Sequence, residues 1–198
     1  MKILVSAFDP FNQEATNASQ LVLNELTNRT SIIPVILPTS FHRSFPLLRQ
    51  SISSYNPDVV ILLGEAEHRA NISLERVAIN IDDARIADND GVQLIDTKIE
   101  RKGHDGLFTR LPIHELASTL KAAAHPVAIS NTAGTFVCNH IMYEALFHLP
   151  KSLPVGFIHV PILKEQGYQT DIQCDKEDIV TAMVALIESL PTILAAKR

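Results

Sequence analysis

Apolar positions along the chain fall into two alternating patterns. Lys2–Ala7 is a short aliphatic run delivered into the turn Phe8-Asp9-Pro10-Phe11, which predicts a strand ending at two aromatic residues. Asn17 or Ser19 then caps a helix over Gln20–Thr27, and Ser31–Leu37 reads as a second strand. After Thr39-Ser40 the residues Phe45, Leu47, Leu48 and Ile52 recur at helical spacing. Pro57-Asp58 introduces the most apolar strand, Val59–Leu63, which closes at Gly64. Continuously apolar strands separated by helices predict a parallel sheet covered on both faces, so the first half is α/β.

The rhythm then breaks. Ile72–Asn80 alternates like one strand, which would place Glu75 on the same face as Val77 and Ile79. Ile81–Leu111 is polar and turn-rich, a long irregular excursion in which Val92, Leu94 and Ile95 suit a subunit contact. Alternation resumes with a helix over Ile113–Ala124 and a strand over Val127–Ser130. The small-residue turn Thr132–Thr135 follows, then a helix that carries Cys138 in its first turn and Ile141, Met142, Ala145, Leu146 and Leu149 on one face. A strand over Val155–Val160 ends at Pro161, Leu163–Cys174 is a second irregular loop, and a final helix runs from Asp175 to Leu190, stopped by Pro191.

Composition narrows the classes. A chain of 198 residues with 46% hydrophobic and 20% charged residues fits one globular domain over 1–198. The formal net charge of −5 and the lack of a basic run argue against nucleic acid or an anionic membrane as partner. The N-terminal apolar run is too short for a signal peptide, and no stretch is expected to reach transmembrane length. Two cysteines, Cys138 and Cys174, make no disulfide framework, and no metal-ligand spacing is present. A cytoplasmic protein without metal or cofactor is expected.

Open parallel sheets bind ligands outside the carboxyl ends of their strands. Phe8–Phe11, Glu65–Arg69, Cys138 and His159 each follow or end a predicted strand, so all four are expected on one edge. A thiol at a helix N-terminus meets the positive end of the macrodipole and unpaired N–H groups, which favours a thiolate nucleophile. Its competing reading is a buried, inert cysteine. His159 lies inside an apolar strand and is placed to take the thiol proton. His140, two residues after Cys138, points to another side of the helix and is the weaker base. Glu75, a carboxylate on an apolar face, either pairs with Arg76 or Arg85 or orients the imidazole as the third member of a triad.

At these residues the chain resembles pyroglutamyl peptidase I, the pyrrolidone-carboxylate peptidases, a family of cysteine peptidases. The resemblance rests on Phe8-Asp9-Pro10-Phe11, on Glu75–Asn80 with Ala84-Arg85-Ile86 and Asp88-Asn89, on Ser130–His140, and on Gly156–Pro161. It implies a three-layer α/β/α sandwich with a mostly parallel central sheet, phosphorylase/hydrolase-like, assembled as a homotetramer. The implied activity is removal of an N-terminal pyroglutamyl residue from peptides through a thioester, without metal or cofactor. The family's catalytic residues fall on Glu75, Cys138 and His159. Its lactam pocket falls on Phe8, Phe11, Asn17, Glu65, Phe136 and Val137, with Arg85 beside the developing oxyanion.

Two departures stand out. Where the family reads Gly-Gln-Ala-Gly-Gly-Arg, this chain has Gly64-Glu65-Ala66-Glu67-His68-Arg69, which brings a charge to the lactam site and leaves open a different cyclic or blocked N-terminus as substrate. A non-catalytic binding protein on the same fold is the reading from another class. A glycine pair after Asp-Pro-Phe is replaced by Asn12-Gln13, where a left-handed backbone would be strained.

Overall fold

The computed structural model describes residues 1–170 and 172–197. Its elements run β1 (Ile3–Phe8), α1 (Ala18–Arg29), β2 (Ile33–Leu37), α2 (Ser44–Tyr55), β3 (Val59–Ala66), β4 (Ile72–Glu75), β5 (Val77–Ile79), β6 (Gly106–Phe108), α3 (Ile113–Ala122), β7 (Val127–Ser130), α4 (Val137–His148), β8 (Val155–Pro161) and α5 (Lys176–Ala195). Six strands form the central sheet in the order β2-β1-β3-β8-β4-β7. The first four are mutually parallel, whereas β4 runs against β8 and carries β7 parallel to itself.

Successive side chains of a strand point to opposite faces, and the two apolar layers follow this parity. Val59, Ile61, Leu63, Ile158 and Val160 meet Val22 and Leu26 of α1, Leu116 and Leu120 of α3, and Met183 and Leu186 of α5. Val60, Leu62 and Phe157 meet Phe45 and Leu48 of α2 and Ile141 and Met142 of α4. The result is a three-layer α/β/α fold. By the same parity Gly64, His159, Ser73 and Glu75 face α4, and Glu65 faces α1.

Several expectations are corrected. Ile72–Asn80 is two strands broken at Arg76, whose N–H donates to the Ser130 carbonyl and whose own carbonyl accepts from Thr109. β5 leaves the central sheet and pairs antiparallel with β6, which lies inside the supposedly irregular excursion. Glu75 therefore does not share a face with Val77 and Ile79. Val92 and Leu94 pack on the core, while Ile95 is 60% exposed. The sites were expected on aligned carboxyl ends, yet β4 and β7 enter the sheet the other way. The link Glu67–Asn71 is too short for the crossover that a parallel return needs, so it reverses the chain.

The last helix continues through Pro191 to Ala195 instead of stopping. Proline forfeits one N–H bond there, but Leu190 is buried and Ile193 and Leu194 pack on the core, which offsets the loss. By length and composition α5 could also span a bilayer, contrary to expectation; in this fold Ile179, Val180, Met183, Leu186 and Leu190 are buried in the core formed with α1 and α3.

Candidate active site

The sheet register assembles the site. Gly64 of β3 lies directly opposite His159 of β8, on the α4 face. A Cβ on Gly64 would stand 2.9 Å from Cys138 Sγ and 2.6 Å from the Phe157 ring, so the missing side chain is the space that the thiol occupies beside the imidazole. On the other side of β8, Ser73 pairs with His159, and Glu75, two residues further along β4, projects from the same face. His159 Nδ1 lies 2.7 Å from Glu75 Oε1, with both side chains buried. That bond occupies Nδ1 and leaves Nε2 as the free ring nitrogen. Cys138 is the second residue of α4, whose N-cap, Phe136, offers no side-chain acceptor to the first-turn N–H groups.

Burial dominates the electrostatics. It pushes the Cys138 thiol up to about 12; Glu75 and Glu65 push the same way, while Arg69 and the residue's own N–H oppose them. Burial therefore works against the helix terminus, which was expected to favour the thiolate. Burial also lowers His159, against the raising effect of its hydrogen bond to Glu75. Both shifts favour the neutral forms, thiol and imidazole.

A cavity of about 180 Å³ opens over this pair. Phe8, Phe11, Phe136, Val137 and Ala133 supply its apolar wall, with Phe11 and Phe136 ring centroids 6.0 Å apart; Asn17, Thr39 and Glu65 supply its polar groups. Asn17 is also the cap of α1, accepting from Ser19 N–H at 3.0 Å. Glu65 Oε2 accepts from the Ala18 N–H at 2.6 Å and from Gln166 Nε2 at 2.8 Å, tying the carboxylate to the start of α1. Burial raises the Glu65 pKa, and those two hydrogen bonds counteract the rise.

Arg85 is exposed and does not line the cavity. His140 turns away, with Nδ1 2.8 Å from Asp82 and its ring edge-on to Phe41. Sequence reasoning missed Gly64 as a packing residue, Thr39, Ala133, Gln166 and the partner of Glu75. That partner is Arg69, which donates to Glu75 Oε1 and, at 2.8 Å, to the Thr132 carbonyl. No periodicity marks a residue in a five-residue turn. Among the described residues Glu100, Glu144 and His148 could each offer a ligand atom to a cation, but they share nothing with the cavity, and His148 already bonds Glu100 at 2.8 Å. Asn12 and Gln13 both take positive φ, 54° and 62°, as the missing glycine pair required.

A family profile described as pyroglutamyl peptidase matches residues 1–191. The pyrrolidone-carboxylate peptidase of Brachyspira hyodysenteriae is 46% identical, covering 84% of this chain and 86% of its own; that of Alkaliphilus oremlandii is 43% identical, covering 96% and 92%. Among solved structures, pyroglutamyl peptidase I of Bacillus amyloliquefaciens superposes with a TM-score of 0.88 at 35% identity, covering 93% of this chain and 94% of that one. A mutant pyrrolidone carboxyl peptidase of the hyperthermophile Pyrococcus furiosus superposes with a TM-score of 0.90 at 31% identity, covering 98% and 100%.

Proposed function

Because the chain belongs to the pyroglutamyl peptidase family, cysteine peptidases that remove N-terminal pyroglutamate, we infer that its own reaction runs on Cys138, His159 and Glu75. The observation that carries this is the thiol seated in the gap left by Gly64, opposite an imidazole whose far nitrogen is held by a buried carboxylate.

With thiol and imidazole both neutral at rest, the proton leaves Sγ for His159 Nε2 as the bond from sulfur to the pyroglutamyl carbonyl carbon forms. The uncapped N–H groups at the start of α4 stabilise the oxyanion. The imidazolium, stabilised by Glu75, returns its proton to the departing amine as the C–N bond breaks. His159 then deprotonates a water that hydrolyses the thioester, and Cys138 regains its proton.

The substrate's lactam is flat and lacks a free α-amine, and it fits the aromatic wall of Phe8, Phe11 and Phe136. Glu65 Oε2 is occupied by Ala18 and Gln166, and the other carboxylate oxygen supplies an acceptor for the lactam N–H. The decisive experiment is fluorophore release from a pyroglutamyl amide and an alanyl amide, by the wild type and Cys138→Ala. Turnover of the first substrate alone, abolished by the substitution, is expected. Preference for the alanyl amide would mean that the Glu65 carboxylate grips an ammonium and would sink the pyroglutamyl reading.

The reading includes self-association. Phe108 is 71% exposed on β6, opposite Val77, with Ile79 36% exposed on the same side of the ribbon. A second copy covering this apolar strip accounts for it. Light scattering should give a multiple of the 21.9 kDa chain mass, reduced by Phe108→Glu; a monomeric wild type refutes it.

A further inference from the structure

The mechanism above leaves one charged residue at the site unused. Arg69 lies in the short link between β3 and β4, where its fork reaches two separate parts of the centre. Nη1 donates to Glu75 Oε1, the same oxygen that faces His159 Nδ1, and Nη2 donates to the Thr132 carbonyl in the turn leading into α4. Glu75 is fully buried, and its second oxygen has no hydrogen-bond partner. A buried carboxylate served on one oxygen only is strongly disfavoured without a fixed counter-charge, and Arg69 is that charge. Its side chain is 27% exposed, so the guanidinium enters the buried pair from the solvent side.

We propose that Arg69 is a positioning residue of the catalytic centre, clamping the Glu75 carboxylate to the Thr132 turn so that imidazole and thiol are held against each other in the field of a fixed guanidinium. The proposal rests on the catalytic reading given above. A planar fork can span two acceptors in fixed geometry, whereas an ammonium supplies the same charge without the span.

The electrostatics agree with this geometry. The groups around the thiol are His159 from β8, Glu75 from β4, Glu65 from β3 and Arg69 from the link; on α4 itself, His140 is turned away onto Asp82. Desolvation and the two carboxylates make the Cys138 thiol harder to ionise, and Arg69 opposes them. Arg69 likewise adds to the lowering of His159 that burial causes, against the raising effect of Glu75. Removing the guanidinium charge makes proton binding easier at both groups, so both ionisations move to higher pH. The acid limb of kcat/KM, set by protonation of His159, must follow.

The test compares wild type, Arg69→Lys and Arg69→Met as full chains, by pH profiles of kcat/KM on a pyroglutamyl amide and of the rate of alkylation of Cys138 by iodoacetamide. Arg69→Met should lower kcat about a hundredfold, move the acid limb up by about one pH unit, and slow the alkylation of Cys138 about tenfold at any fixed pH below its ionisation. Arg69→Lys should return both profiles close to wild type while kcat stays depressed, because charge is restored and span is not. Where Arg69→Met does not fold, the neutral donor variant Arg69→Gln makes the same comparison. Lower activity with both profiles unmoved in the neutral and the lysine variants would reduce Arg69 to a structural brace and overturn the proposal. Alkylation needs no substrate. A wild type inactive on pyroglutamyl amides but showing the alkylation shift would therefore refute the substrate reading and leave Arg69 standing.

Discussion

Among the described residues, two pairs of a histidine and a buried carboxylate are nearly the same in local geometry. His159 faces Glu75 at 2.7 Å, and His140 faces Asp82 at 2.8 Å, each through Nδ1. In each pair the carboxylate is buried and keeps one oxygen without a partner, Glu75 Oε2 and Asp82 Oδ1. They differ in what surrounds them. His159 stands on a strand beside a glycine whose empty side is filled by the Cys138 thiol, and it lines the cavity. His140 is only two residues from Cys138 in sequence, but a helix turns it through about 200° from the thiol, onto Asp82 and the edge of Phe41. Asp82 in turn exchanges backbone hydrogen bonds with Thr97, so this pair fastens the excursion to α4. A histidine oriented by a carboxylate is thus not in itself a catalytic device. In the mechanism we infer, the working pair is the one whose second nitrogen is left for a nucleophile.

The largest effect separates the two histidines. His159→Gln should lower kcat/KM by about a thousandfold, the range expected for loss of a proton carrier, while His140→Gln stays within about threefold of wild type and loses thermal stability instead. Steady-state kinetics with melting curves on both variants decide this. An inactive, fully folded His140→Gln would break the distinction. Gly64→Ala should come next. Its Cβ cannot coexist with Sγ at 2.9 Å and the Phe157 ring at 2.6 Å, so the thiol is displaced from the imidazole. Activity should fall about 10- to 100-fold, with a stability loss of about 1–3 kcal/mol. Wild-type kcat in Gly64→Ala would mean that the thiol does not depend on this space.

Much of this arrangement is legible in the sequence. The strands through Val59–Leu63 and Val155–Val160 and the helix after Cys138 follow from apolar patterning, because buried parallel strands and amphipathic helices leave strong local signals. Cys138, His159 and Glu75 stood out as residue types placed against their surroundings. The order of strands did not, since nothing local says that β8 inserts between β3 and β4. The break at Arg76 is equally hidden: Glu75–Asn80 keeps a strand pattern, and what divides it is that the Arg76 N–H donates to Ser130 while its carbonyl accepts from Thr109, two partners far away in sequence. Arg69 and Gln166 act at the site through partners 6 and 101 residues away in sequence, and neither lies on a periodic face. Asn12 and Gln13 are a case where a missing glycine correctly announced a left-handed backbone.

The smallest chemical change is the sharpest check on the comparison, because it alters one atom in each pair. Glu75→Gln and Asp82→Asn both keep an acceptor for Nδ1 while removing the negative charge. At Glu75 the lost charge no longer stabilises the imidazolium that forms during attack, and Arg69 is left facing a neutral amide, so kcat should fall well over tenfold. At Asp82 no charge develops during the reaction, and the new amide N–H enters a position where the carboxylate oxygen already lacked a partner. The consequence should be confined to stability, about 1 kcal/mol in denaturant unfolding, with kcat/KM within about twofold of wild type. Equal catalytic losses in the two variants would show that the Asp82 pair communicates with the thiol through the first turn of α4, and the division between a working pair and a fastening pair would then fail.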